Sequence, residues 1–143
     1  MKSLITLLLL VASVAHARDT PPPGSKPNIV FIMTDDMGYE TLSCNGATNY
    51  RTPNIDRLAN EGVVFTQCDG MPLCCPTRTQ VMTGQDHYRN YLRWNGGFAK
   101  TAPTMPEMMK SAGYATGAFG KWHLGDKGSE FKMGFDDACI HDL

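Results

Sequence analysis

The sequence predicts an α/β fold with a central, largely parallel sheet flanked by helices. Three observations point to it. Residues 28–34, Asn-Ile-Val-Phe-Ile-Met-Thr, form a continuous apolar run dominated by β-branched and aromatic side chains, the composition of a strand buried on both faces. Residues 63–66, Val-Val-Phe-Thr, form a second run of the same kind. Between and after these runs lie segments with legible helix starts and stops.

Taken in order, Lys2 precedes an apolar stretch over residues 4–15, which ends in Ala15-His16-Ala17. A basic start, a short apolar region and an Ala-x-Ala site read as a signal peptide over residues 1–17. A membrane anchor would need about 20 apolar residues. The expectation is an exported protein: secreted, periplasmic, or in the secretory pathway and lysosome, with no stable membrane insertion. Residues 18–27 are proline-rich and read as a linker. Residues 28–143 then form the folded portion.

The chain carries 13 basic and 14 acidic residues, for a net charge of −1. Removing Lys2 makes it more acidic still. This balance argues against a nucleic-acid partner, which calls for a basic face. The five cysteines, 44, 68, 74, 75 and 139, lack the regular C-x-x-C pairs of a zinc site.

Asp35 and Asp36 directly follow the first apolar run. In open α/β sheets ligands gather beyond the carboxyl ends of strands. Two adjacent carboxylates repel unless a cation or solvent intervenes, and hard oxygen donors suit Ca²⁺ or Mg²⁺. A solvated turn is the plain alternative for an Asp pair alone. Thr52 can cap a helix whose first position is Pro53, whose apolar stripe is Ile55, Leu58 and Ala59, and whose stop is Gly62. The run at 63–66 then leads into a cysteine-containing loop.

That loop reads Cys74-Cys75-Pro76-Thr77-Arg78-Thr79-Gln80-Val81-Met82-Thr83-Gly84. Pro76 can begin a helix, because its missing N–H would be unsatisfied there in any case. Cys74 then lies just before free backbone N–H groups at the positive end of the helix dipole, with Arg78 about one turn along. Such a place seats an anion, or a nucleophile that attacks one. A buried cysteine at a helix start is the structural alternative.

From 84 to 102 the chain is polar and carries His87, Tyr88, Tyr91, Trp94 and Phe98, which reads as a long loop rather than a sugar-binding surface. Thr104 and Glu107 form a capping box for a helix that runs to Ala112 and stops at Gly113. Residues 114–119 read as a third strand, weakened by Gly117. Beyond it, Lys121 and His123 stand two residues apart, where an ammonium and an imidazole can face one anion.

These runs together resemble the type I sulfatases. The Cys74 run is similar to the family signature Cys-x-Pro-Ser/Thr/Ala-Arg followed by an apolar pair and Thr-Gly, with Thr77 in place of the commoner Ser. Residues 27–38 resemble the family's opening strand, and Thr52 to Ala59 its first helix, which reads as scaffold. Gly120-Lys121-Trp122-His123 resembles the second signature, Gly-Tyr-x-Thr followed by Gly-Lys-x-His, although Phe119 is bulkier than usual. Gly134-Phe135-Asp136 resembles the next recurring segment, and residues 138–143 resemble nothing familiar.

The resemblance implies an alkaline-phosphatase-like sulfatase fold, incomplete in this chain, and hydrolysis of sulfate esters. It implies conversion of Cys74, not Cys75, to formylglycine by a formylglycine-generating or sulfatase-maturating enzyme. Asp35 and Asp36, with the modified Cys74, would be ligands of Ca²⁺ or alternatively Mg²⁺. Arg78 would steady the hydrate of the aldehyde, Lys121 would bind hydrate and sulfate, and His123 would hydrogen-bond the hydrate oxygen. The substrate would be a sulfated small molecule or carbohydrate. With Cys74 converted, four thiols remain and three disulfide pairings stay open. The family's other metal ligands belong to a later part of the domain, so the chain reads as an N-terminal portion, expected to be poorly stable and inactive alone. Two rival readings remain: a phosphonate monoester hydrolase or phosphodiesterase of the same superfamily, and an inactive secreted binding module.

Overall fold

The computed structural model describes residues 22, 24–89, 99, 103–126 and 128–141. The expected signal peptide, residues 18–21 and 23 of the linker, and residues 90–98 and 100–102 of the polar aromatic stretch lie outside the described residues. The chain divides into two compact units, Met1–Thr34 and Asp35–Leu143.

In the first unit, residues 28–34 form no strand, and Ile29, Val30, Phe31 and Ile32 are exposed: Val30 retains 81 % of its accessible surface and Ile32 76 %. The expectation of a buried central strand is corrected here. Residues 63–66 in the second unit likewise form no strand, with Val63 79 % and Phe65 75 % exposed. The physical reason is common to both. Apolar periodicity records how a segment is meant to be buried, whereas a strand exists only through hydrogen bonds to a neighbour. Neither segment finds such a neighbour among the described residues.

The second unit holds the helices and the sheet. Helix α1 is Pro53–Glu61, with Thr52 as N-cap residue and Gly62 N–H donating to the Leu58 carbonyl at 2.9 Å. The Thr52 hydroxyl bonds outward: it accepts from Ser43 N–H at 2.9 Å and donates to Asp56 Oδ1 at 3.2 Å, pinning the helix start to the turn Ser43–Asn45.

Helix α2 is Cys74–Thr83, so Cys74 is its first residue and not the last residue of the loop. Leu73 is the N-cap, and the first helical donor is Thr77 N–H, to the Leu73 carbonyl at 3.3 Å. Pro76 therefore sits at the third position, still within the first turn, where its missing N–H removes no helix bond. Cys75, Pro76, Thr79, Met82 and Thr83 line its buried side. Gly84 ends it in the left-handed region (φ 64°) and donates to Gln80 O at 2.7 Å.

Helix α3, Met105–Ser111, begins at the predicted capping box: Thr104 N–H donates to Glu107 Oε2 at 2.9 Å. Strand β1 is Gly117–Lys121, starting and ending later than the 114–119 expected. The end of the segment before it is held by the start of β2 and the residue ahead of it, since Thr116 O accepts from both Asp136 N–H and Asp137 N–H. A short helix α4, Ser129–Lys132, carries the chain over to β2, Asp137–His141. The two strands pair in parallel, with Gly117 opposite Asp137 and Lys121 opposite His141. This is an α/β fold with a parallel sheet, present in part.

The core of the second unit is small. Met82 of α2 packs with Trp122 and Leu124, and Met105, Met133, Phe135 and Ile140 close around them. Trp122 meets Phe135 edge to face at 5.9 Å and donates its indole N–H to Ser129 Oγ at 2.7 Å. Burying a side chain of this class contributes about 1.5–3 kcal/mol. Because Trp122 stands between Lys121 and His123, this packing fixes the backbone on which both are carried.

Candidate active site

The start of α2 and the end of β1 converge. Cys74 Sγ lies 3.2 Å from His123 Nδ1, and the neighbouring Cys75 thiol donates to the His123 carbonyl at 3.0 Å. Two consecutive cysteines thus address two atoms of one histidine. His123 has a φ of 55°, the left-handed region, where histidine is among the better-tolerated non-glycine residues. That conformation brings ring and carbonyl together on the same pair of thiols.

Arg78, one turn into α2, donates through Nη1 to the Lys121 carbonyl at 2.6 Å, tying helix to strand. Its Nη2 lies 3.7 Å from Asp35 Oδ2, and Lys121 Nζ stands 2.5 Å from the same oxygen. Two cations therefore share one carboxylate oxygen. The hydrogen bond from Lys121 is the main cause of an Asp35 pKa below the usual aspartate value; desolvation opposes it, and the charges of Lys121, Arg78 and His123 add to the lowering. The same bond holds Lys121 above the usual lysine value. Burial, and then the adjacent Cys74, push the Cys75 thiol up. Arg78 Nε is buried and has no hydrogen-bond partner among the described residues.

Of the residues singled out from sequence, Cys74, Arg78, Lys121, His123 and Asp35 come together. Asp36 does not join them: it is exposed, in the left-handed region (φ 54°), and no hydrogen bond or ion pair links it to the cluster among the described residues. As cation ligands, Asp35 and Asp36 offer the right donor type, hard carboxylate oxygen. One oxygen of Asp35 is already matched by Lys121 and Arg78, and the pair supplies only a start on the roughly 6–8 oxygens Ca²⁺ takes. They fit a hard divalent cation in kind.

Three features escaped the sequence. The Asp35–Lys121 pair joins residues far apart in the chain, and no spacing signals it. The contact of Cys75 with His123 O involves a backbone atom. Trp122 was legible only as an aromatic inside Lys-x-His, where its size marks it as a core residue. All five cysteines are free thiols, so none of the open pairings is formed.

Comparison with known proteins shows the family of the chain. The family model described as Sulfatase matches residues 27–143. Human arylsulfatase D is 40 % identical over 136 residues, covering 86 % of this chain and 23 % of its own length. The N-acetylgalactosamine-6-O-sulfatase of Bacteroides thetaiotaomicron is 39 % identical over 143 residues, covering 87 % of this chain and 27 % of that protein. The solved structure of BT4656 in complex with its substrate, D-glucosamine-2-N,6-O-disulfate, superposes with a TM-score of 0.71 at 38 % identity, over 80 % of this chain and 23 % of that one. The class is set by a family model that matches most of the chain and by relatives near 40 % identity. The chain belongs to the sulfatase family, and it spans about a quarter of the length of these relatives.

Proposed function

We propose that this chain supplies the nucleophile-bearing part of a sulfate ester hydrolase. The supporting observation is the convergence of Cys74 and His123 at 3.2 Å beside the Lys121–Asp35–Arg78 group. A sulfate ester is an anion, and this group places two cations against a single carboxylate.

Cys74 is the residue to be converted to formylglycine, through a partner enzyme of the formylglycine-generating or sulfatase-maturating class. Once formed, that residue would supply an aldehyde hydrate: one hydroxyl would bond to sulfur as the ester S–O bond breaks and the alcohol leaves, and loss of the second hydroxyl's proton would then release sulfate and restore the aldehyde. His123 Nδ1, already at the Cys74 side chain, is placed to hydrogen-bond the oxygen that replaces sulfur and to carry its proton. Lys121 Nζ is placed to hold a sulfate oxygen while Asp35 keeps it protonated and oriented. Arg78 holds the Lys121 backbone and adds positive charge at the same point. Asp35 and Asp36 would hold Ca²⁺, or Mg²⁺, which when bound favours charge building on the sulfate oxygens and acidifies a neighbouring hydroxyl. The end of a helix contributes only about 0.3–1 kcal/mol toward a nearby charge, so fixed cations carry the larger share.

The substrate class is a sulfated small molecule or carbohydrate. The sugar sulfate bound by BT4656 and the amino-sugar 6-O-sulfatase from Bacteroides favour the carbohydrate side. The protein acts after export, guided by its signal peptide. Among the described residues, no helix is long and apolar enough to cross a membrane.

The test is to express the gene together with a formylglycine-generating enzyme, map the peptide containing Cys74 by mass, and assay paired aryl sulfate and phosphonate monoester substrates. Conversion at Cys74 with preferential sulfate turnover is the expected result. An unmodified Cys74, or conversion at Cys75, removes the basis of the proposal. Preferential phosphonate turnover assigns the site to the sister activity.

A further inference from the structure

The residues that serve the aldehyde form a different site while Cys74 is still a thiol. The Sγ atoms of Cys74 and Cys75 and a ring nitrogen of His123 all lie within 4.8 Å of one another. Two soft sulfurs and one imidazole are the donors that Zn²⁺ and its relatives prefer, whereas the carboxylates at Asp35 and Asp36 suit hard cations. Ligands at ordinary zinc distances, about 2.3 Å for sulfur and about 2.0 Å for nitrogen, stand roughly 3.5 Å apart around a tetrahedral ion. The Cys74–His123 separation of 3.2 Å is close to that, and the Cys75 sulfur lies within 4.8 Å of both.

The setting favours such an ion. Both cysteines lie in the first turn of α2, so both sulfurs are presented at the same helix end. Cys75 is buried at 3 % exposure, and Cys74 and His123 are half-buried, so the ion would be largely shielded from water. Three protein donors leave one tetrahedral position to solvent. The spacing in sequence hides this set, because two ligands are adjacent and the third comes from the far side of β1.

We propose that the chain with unconverted Cys74 binds one soft divalent metal ion, Zn²⁺ in particular, through Cys74, Cys75 and His123. The inference stands apart from the hydrolase reading, because it uses only the side chains as encoded.

The test uses the full chain with Cys74 unconverted, reduced, and with Cys44, Cys68 and Cys139 changed to Ser so that exposed thiols do not contribute. Titration with Co²⁺ as a coloured probe is expected to give a thiolate-to-cobalt charge-transfer band that saturates at one equivalent and is displaced by Zn²⁺. Cys74→Ala, Cys75→Ser and His123→Asn are each expected to weaken binding at least tenfold. Asp35→Asn and Asp36→Asn together are expected to leave the band in place. In parallel, the chain without any substitution is alkylated with and without Zn²⁺. Protection of Cys74 and Cys75 together, with Cys44, Cys68 and Cys139 still reacting, is the expected pattern, and it needs no variant to fold. Absence of the band in the triple-Ser background, a band that survives loss of Cys75 or His123, or equal alkylation of Cys74 and Cys75 with and without Zn²⁺ would each overturn the proposal.

Discussion

Lys121 Nζ and Asp35 Oδ2 stand 2.5 Å apart, and this one contact joins the end of β1 to the residue that opens the second unit. It shifts both partners in the direction that keeps them charged. The lowered Asp35 value gives stabilisation that is complete above the unfolded aspartate value, about 3.9, and is lost as pH falls through the folded value. The raised Lys121 value gives stabilisation that is complete below about 10.4 and is lost as pH rises through the folded one. Between these limits the pair contributes at full strength. Asp35→Asn is therefore expected to lower the Lys121 pKa toward the ordinary lysine value, measured by NMR titration of the ammonium. In the complete enzyme the same change is expected to reduce turnover by about 10²-fold or more, the scale on which loss of a fixed electrostatic group acts. A Lys121 titration unchanged by Asp35→Asn would show that the contact does not persist in solution.

Arg78 divides its two terminal nitrogens between the Lys121 carbonyl and Asp35. A lysine in its place has a single point charge and cannot serve both. Arg78→Lys is expected to cost about 1.5–3 kcal/mol, the range for a hydrogen bond involving a charged group. Chemical denaturation measures it, and a cost near zero would mean that the helix–strand tie is redundant.

His123 combines a ring held at the Cys74 sulfur with a left-handed backbone. Asn tolerates that region, whereas a β-branched residue does not. His123→Asn is expected to keep the thermal midpoint near that of the parent while removing the contact with Cys74. His123→Val is expected to lose about 1–3 kcal/mol in addition. Equal midpoints for the two variants would show that the left-handed conformation carries no strain.

Thr79 is fully buried, and its hydroxyl has no hydrogen-bond partner among the described residues. Thr79→Val keeps the shape and removes the orphaned oxygen, so it is expected to raise stability by about 1 kcal/mol. A loss of stability on this change would reveal a bond to the Thr79 hydroxyl.

The parts of the fold that were legible are those set by local chemistry. Pro53 with Gly62 and Thr104 with Glu107 mark helix ends through their own backbone preferences, and those helices appear where these residues put them, whereas α2 begins two residues before Pro76. The strands were legible only as apolar runs. Residues 28–34 and 63–66 carry the composition of buried strands, yet pairing depends on partners that composition does not name. Strand β2 went unseen because Asp137, Cys139 and His141 interrupt its apolar positions, which lie on one side only. The site was legible in its residue types and not in its contacts. Cysteine, arginine, lysine and histidine announce anion chemistry from their spacing, while the sharing of Asp35 between two cations arises only from tertiary approach.

Lys121 is the last residue of β1, and the parallel register sets it opposite His141. Side chains alternate along a strand, so the direction in which its ammonium points depends on the parity of the residues that precede it. Removing Ala118 alone would leave Gly-Lys-Trp-His untouched as a string of letters and turn the cation toward the opposite face, away from Asp35. The strand works as a counter as well as a scaffold. A relative that retains the Gly-Lys-x-His letters but differs by one residue within this strand would carry the motif without the geometry that gives it meaning.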